Sequence, residues 1–178
     1  MTIPVTVRFN PVFREANQCR KRYRVLKGSA GSGKSVNVAQ DYVLKLMDPR
    51  NRGANLLVVR KVEASNKDST YAELLGAVSR VCGEHAARIW GATVNPLAMT
   101  CLTTGARIIF RGMKDARERE KVKSISTANG SLTWIWIEEA TELEESDVDV
   151  LDDRLRGALE NGWLYYQITF TFNPVSAT

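Results

Sequence analysis

The run Gly28-Ser29-Ala30-Gly31-Ser32-Gly33-Lys34-Ser35 meets every fixed position of G-x-x-x-x-G-K-[ST], a loop whose N–H groups turn inward around phosphate oxygens. Glycine tolerates the left-handed and close-approach conformations that such a cradle needs. In this pattern Lys34 reaches the β- and γ-phosphates, while Ser35 opens a helix, where anions are favoured, and offers its hydroxyl to Mg²⁺. A second constellation ends the apolar run Leu132 to Ile137, where Glu138 and Glu139 stand side by side. Burying even one unpaired carboxylate costs several kcal/mol, so twin acids on an apolar strand point to a use for the charge. This is the form of a Walker B strand, in which Glu138 joins the Mg²⁺ shell and Glu139 orients and deprotonates the attacking water. The plainer reading has both acids opening a solvated acidic stretch and capping the next helix.

Phosphoryl transfer also needs a cation on the developing γ-phosphate charge. Arg60, which ends the run NLLVVR, is the first candidate, with Lys61, Arg107 and Arg111 as alternatives; Arg60 serves equally well as a surface arginine or a DNA-phosphate contact. Asn173, before Pro174, can hold the γ-phosphate or the water through its amide, or simply end a strand. The lone histidine, His85, excludes a multi-histidine metal site and is expected near a helix end. Trp134 and Trp136 read as core packing, and the mixed segment Arg111 to Lys123 as a solvated face or a contact to a DNA backbone.

The elements that must position these residues follow from periodicity. Tyr23 to Leu26, Asn55 to Arg60 and Leu132 to Ile137 read as strands; the second is a short apolar run of the kind expected for a strand covered on both faces, and the third is wholly apolar up to Glu138. Trp163 to Phe172 reads as another, and Met99 to Thr103 and Ala106 to Arg111 as a hairpin across Thr104-Gly105. Ser35 to Met47 carries apolar residues at helical spacing and stops at Asp48-Pro49. Thr70-x-x-Glu73 resembles a capping box before the face Tyr71, Leu74, Leu75, Val78 and Val81, and Ser146-x-x-Asp149 resembles a cap before Val148, Leu151 and Leu155. Alternating strands and helices predict one α/β domain with a mostly parallel sheet, helices on both faces, and ligands at the carboxyl ends of the strands.

Composition narrows the class. The 178 residues, 44% hydrophobic, suffice for one globular core, and no run approaches the roughly 18 apolar residues of a membrane span. The start Met1-Thr2-Ile3-Pro4 lacks a basic-then-apolar leader, which reads as cytosolic, and three cysteines without C-x-x-C spacing read as reduced, mostly buried thiols. Nine of the 20 acids lie between Glu138 and Asp153 with no base among them, leaving 11 acids against all 25 bases elsewhere. A surface that basic favours polyanions such as nucleic acid.

Taken together, the chain resembles the ATPase domain of the large terminase subunit of tailed bacteriophages, the motor that pumps double-stranded DNA into a procapsid. The similarity runs through Arg22 to Lys27 leading into GSAGSGKS, LLVVRK at 56–61, Ser69 opening a helix, IIFRGM at 108–113, Lys123-Ser124-Ile125, and WIEEAT at 136–141. It implies a P-loop NTPase of the additional-strand class in three αβα layers, with ATP and Mg²⁺ as ligands. It further implies Lys34 and Ser35 in the phosphate loop, Glu138 and Glu139 as Walker B acid and base, Asn173 in the coupling motif, and Arg60 acting on a neighbouring subunit's ATP. Ser29, Ala30 and Ser32 fill the variable loop positions, so the in-loop arginine of some terminases is absent and Arg60 gains weight. The segment Phe9 to Gln18, within a leading stretch 1–22, falls where relatives recognise adenine. Implied partners are double-stranded DNA, a portal protein, a small terminase subunit and further copies in a pentameric ring, with no membrane, in the host cytoplasm and transiently on the procapsid. Large terminases usually continue through a lid subdomain and a nuclease; this sequence ends four residues after Pro174, which implies residues 1–178 as a single ATPase domain without nuclease activity. The competing readings are a helicase or recombinase-like motor and a nucleotide-binding module without turnover. A GTPase is disfavoured because Asn66-Lys67-Asp68-Ser69 is one residue out of register for N-K-x-D.

Overall fold

Strands β2 (Ala54–Arg60) and β6 (Ser131–Glu138) are buried along nearly their whole length because each is covered on both faces. Their side chains alternate accordingly: Leu56, Val58, Trp134 and Trp136 join one hydrophobic cluster, and Leu57, Val59, Ile135 and Ile137 the other. The computed structural model describes residues 5–174; the outermost residues of the expected 1–178 domain lie outside them.

The remaining strands are β1 (Tyr23–Lys27), β3 (Trp90–Val94), β4 (Leu97–Cys101), β5 (Arg107–Gly112) and β7 (Gln167–Phe172). Together they form one seven-stranded sheet of order β1-β7-β6-β2-β5-β4-β3, parallel from β1 to β5 and antiparallel through β4 and β3. One strand, β7, is inserted between the strand feeding the glycine loop and the strand ending in the paired acids, which is the additional-strand arrangement expected. Helices α2 (Lys34–Met47) and α3 (Ala72–Cys82) cover the first face, with the short α1 (Arg14–Gln18) and α4 (Ala86–Ile89) beside them; α5 (Ala116–Lys123) and α6 (Glu145–Asp152) cover the second. Because the five parallel strands share a direction, Lys27, Arg60, Gly112, Glu138 and Phe172 all finish at one rim.

The structure departs from the local sequence pattern in several places. Thr70 does not cap a helix: a turn of π-helix (Lys67–Tyr71) precedes α3, and the Thr70 hydroxyl donates to the Asn66 side chain at 2.7 Å instead. Leu75, expected on the buried face, is exposed. The capping box of α6 lies two residues earlier than Ser146 and Asp149, formed by Glu144 and Asp147. Strand β7 starts at Gln167 rather than Trp163, and the hairpin partner β3 was not anticipated. A register shift between Asn55 and Leu56 is filled by the Asn55 amide, which donates to Asn129 O and Ser131 O and accepts from Arg107 N.

The acidic stretch is not wholly solvated either. Asp147 is completely buried, bonded by Lys61 Nζ at 2.9 Å and by Arg119 Nε and Nη2 at 2.7 Å, and its Oδ2 accepts from Glu144 N. Burial alone would raise this carboxyl's pKa, but the bonds from Lys61, the Glu144 amide and Arg119 outweigh it and hold the group below the usual carboxylate range. Asp147→Ala leaves two facing cations, and unfolding by denaturant should show a loss of about 3 kcal/mol, the low end for a broken buried pair because Lys61 and Arg119 still reach water. Since the folded pKa is depressed, this contribution is complete above about pH 4 and disappears as pH falls through the depressed value, so the two proteins should converge in stability in acid.

Candidate functional site

The loop 28–33 runs from the end of β1 into α2, and its first amide, Gly28 N, donates to Phe172 O at the tip of β7. Gly31 and Gly33 adopt φ of 75° and 81°, left-handed values that side chains disfavour, so the glycine spacing is a backbone requirement. A Cβ on Gly28 would lie 2.7 Å from Ser32 Oγ, inside the loop's own curl.

From the first turn of α2, two side chains reach the neighbouring strand tips. Lys34 is buried, and its Nζ donates to Asn173 Oδ1 at 2.6 Å and to Ser29 O at 3.4 Å. Ser35 Oγ donates to Glu138 Oε1 at 2.6 Å. The structure therefore brings the phosphate loop, Glu138 and Asn173 to one place. The other Glu138 oxygen accepts from Thr171 Oγ1, which itself accepts from Trp136 Nε1 at 2.8 Å. Nothing in the local sequence marks Thr171, because a threonine within TFTF reads as ordinary strand; its inward position near the end of β7 is what gives it the role.

Glu139 has φ 53° and ψ 52°, the only positive φ outside glycine among the described residues. Such a conformation costs about 1–3 kcal/mol and persists only where surroundings impose it. It turns the chain sharply from β6 into a short 3₁₀ segment, Ala140–Glu142, and leaves Glu139 half-buried at the rim.

Arg60 is not joined to the loop within this chain. Its Nη1 donates to Ser69 Oγ at 3.0 Å, its Nη2 lies 3.6 Å from Glu142 Oε2, and its Nε is buried without a partner. Among the alternatives, Lys61 is committed to Asp147, Arg107 opens β5 at the far end of that strand from the rim, and Arg111 lines clefts on the α5 side. A cation not anticipated from sequence, Arg80 of α3, shares a cleft with Ser35, Ser69 and Glu138, held by Gln40 Oε1 at 2.8 Å and Glu73 Oε1 at 2.9 Å. The π-helical turn delivers Asp68, Ser69 and Thr70 to the same cleft, consistent with the frequent use of such bulges at functional sites.

The segment Phe9 to Gln18 docks along α2. Asn17 and Asn37 exchange amide hydrogen bonds at 2.9 and 2.8 Å, and a Cβ on Gly33 would lie 3.8 Å from the Phe13 ring. Trp134 and Trp136 are fully buried core residues, and His85 ends a 3₁₀ turn before α4. Among the described residues no cluster of three or more His, Cys, Asp or Glu is arranged for a metal, and no helix is long and apolar enough to cross a membrane.

Known proteins match this chain in sequence and in fold. A family profile described as phage terminase large subunit matches residues 20–178. The terminase large subunit of Bacillus phage SPP1 is 31% identical over 171 residues, covering 95% of this chain and 38% of its own length. The large terminase of a thermophilic bacteriophage superposes with a TM-score of 0.64 at 17% identity, over 92% of this chain and 37% of that one, and has also been solved with ATP-gamma-S. The HK97 bacteriophage large terminase gives 0.63 at 13% identity, over 93% and 33%. The chain thus spans about a third of the length of these relatives.

Replacing Thr171 with Val would strip Glu138 and the Trp136 indole of a shared partner. Thermal unfolding should show a loss of about 1–3 kcal/mol, the cost of leaving buried polar groups unpaired, and unchanged stability would remove Thr171 from the support of Glu138.

Proposed function

Because the chain belongs to the phage terminase large subunit family, we propose that it is the ATP-hydrolysing motor domain of such a subunit, driving double-stranded DNA into a procapsid. The observation that carries this reading is the 2.6 Å bond from Ser35 to Glu138, which unites phosphate loop and acidic strand tip. In that site the loop amides of residues 28–33 and Lys34 hold the triphosphate, and the Asn173 amide, already on Lys34 Nζ, passes the state of the γ-phosphate to β7.

The residues present fit a magnesium ion. Ser35 Oγ and Glu138 Oε1 are hard oxygen donors in contact, and Mg²⁺ typically takes one or two protein oxygens with substrate phosphates and water completing its shell. Held by these two residues, a magnesium ion would supply charge neutralisation for the transferring phosphoryl group. Thr171 fixes the carboxylate's second oxygen, so Glu138 offers the first in a set direction. Glu139, one residue beyond at the left-handed turn that ends β6, accepts the proton of the attacking water in this reading.

Arg60 serves a neighbouring subunit's nucleotide. Its in-chain partners, Ser69 and Glu142, store it at the rim beside the site rather than within it. Phe9 to Gln18 borders the adenine side, because it packs on α2 and Gly33. The wider assembly in this reading is a homo-oligomeric ring, pentameric, docked on a portal protein in the host cytoplasm with the small subunit delivering DNA.

Glu139→Gln should retain binding of a fluorescent ATP analogue while turnover, followed by phosphate release with double-stranded DNA present, drops by about 10²–10⁴-fold. Near-normal hydrolysis would take Glu139 out of the mechanism. A wild-type protein that binds the analogue but releases no phosphate would favour the binding module without turnover.

A further inference from the structure

A second charged surface lies away from the nucleotide rim, on the α5 side of the sheet. Strand β5 turns Arg107, Ile109 and Arg111 to that side, and the cleft above them is closed by Lys121 of α5, by Ser124 and Ser126 beyond it, and by Pro96 and Leu97 of the β3–β4 hairpin. Among the described residues no acid lines this cleft. It shares Arg111 and Lys121 with a neighbouring cleft that adds Lys67 and Lys114 toward the rim, and Ser126 with another that adds Arg154 and Arg156 toward the opposite end. That last cleft is also free of described acids, and the rimward one holds only Glu63 and Glu118.

The bases along this stripe are largely unspent. Arg107 and Arg156 have no ion pair or side-chain hydrogen bond among the described residues, and Lys121 has only Glu63 at 3.5 Å. Arg111 and Arg154 each give one Nη to a main-chain oxygen, Phe110 O at 2.8 Å and Ile125 O at 2.7 Å, which orders each guanidinium at the cleft and leaves donors over. A surface selected for solubility alone intersperses acids with bases. Here the central and lower clefts have none.

We infer that this stripe is a docking surface for the phosphate backbone of double-stranded DNA. Length distinguishes a polyanion from a single phosphate. Arg107 and Arg111, four residues apart on one strand face, are separated by about 13 Å at ~3.3 Å per residue, and the flanking clefts extend the run beyond both ends of β5. One DNA strand presents a phosphate every ~3.4 Å of axis, so such a stripe matches several successive phosphates of one strand. The contacts are to backbone, without base readout, which suits a protein that must hold DNA of any sequence. This inference rests on the motor reading above and assigns the surface of this chain that the DNA touches.

The test uses the triple variant Arg107→Gln, Lys121→Gln, Arg156→Gln, all surface or half-buried positions outside the nucleotide site. Binding of a fluorescent DNA duplex is titrated at several salt concentrations, and a fluorescent ATP analogue is titrated in parallel. The expected result is at least a tenfold loss of duplex affinity at moderate salt, a salt slope shallower by about 2–3, and unchanged analogue binding. Wild-type duplex affinity and slope in the variant would overturn the assignment while leaving the motor reading intact, as would a wild-type protein that hydrolyses ATP yet binds no duplex or prefers RNA or an acidic protein. Failure of the motor reading would instead appear as absent phosphate release in the wild type.

Discussion

The hydrogen bond between Ser35 and Glu138 is the contact on which the site depends. It joins the first turn of α2 to the tip of β6 across β7, and it exists only because a phosphate loop fixes where α2 begins and because parallel strands end together. Shift either element and the loop loses its carboxylate. Lys34 with Asn173 repeats the arrangement on β7, so the helix start is pinned to two neighbouring strands.

Around that pair the fold spends polar groups inside the molecule. The α2-facing side of β1 and β7 buries Arg24, Gln167, Thr169 and Thr171, whereas Tyr23 and Val25 are exposed and Phe170 and Phe172 half-buried. Arg24 is paired with Asp41 and bonded to Thr169, and Tyr42 meets the same threonine at 2.7 Å. A network of this kind contributes little net stability over apolar packing of the same volume. On the other face, Asp147 gathers Lys61 at the end of β2, Arg119 of α5 and the cap of α6, tying the helix beside the basic stripe to the strand that carries Arg60.

How much of this the sequence disclosed follows from the strength of each local signal. Strands β2 and β6 were legible because covering both faces demands an unbroken apolar run, and the phosphate loop was legible because its glycines are a backbone necessity. Strand β7 was legible as a strand but its polar face was not: Thr169 and Thr171 are buried on one side, where their partners Arg24, Tyr42 and Glu138 come from distant segments, while Ile168 and Phe170 pack on the other. The two capping motifs failed for a similar reason, because Thr70 sits inside a π-helical turn and the cap of α6 uses Asp147, which also serves Lys61 and Arg119. Arg60 was legible as a rim residue, but its attachment to Ser69 and Glu142 is tertiary and has no mark in the local sequence.

The most direct test of the convergence is a crystal structure of this protein with a slowly hydrolysed ATP analogue and Mg²⁺. The triphosphate should lie in the loop 28–33, with Lys34 turned from Asn173 toward the phosphates, Ser35 and Glu138 facing the ion, and Glu139 within reach of the γ-phosphate side. A nucleotide bound elsewhere, or one held in the loop with Glu138 and Glu139 both turned away from it, would contradict the account.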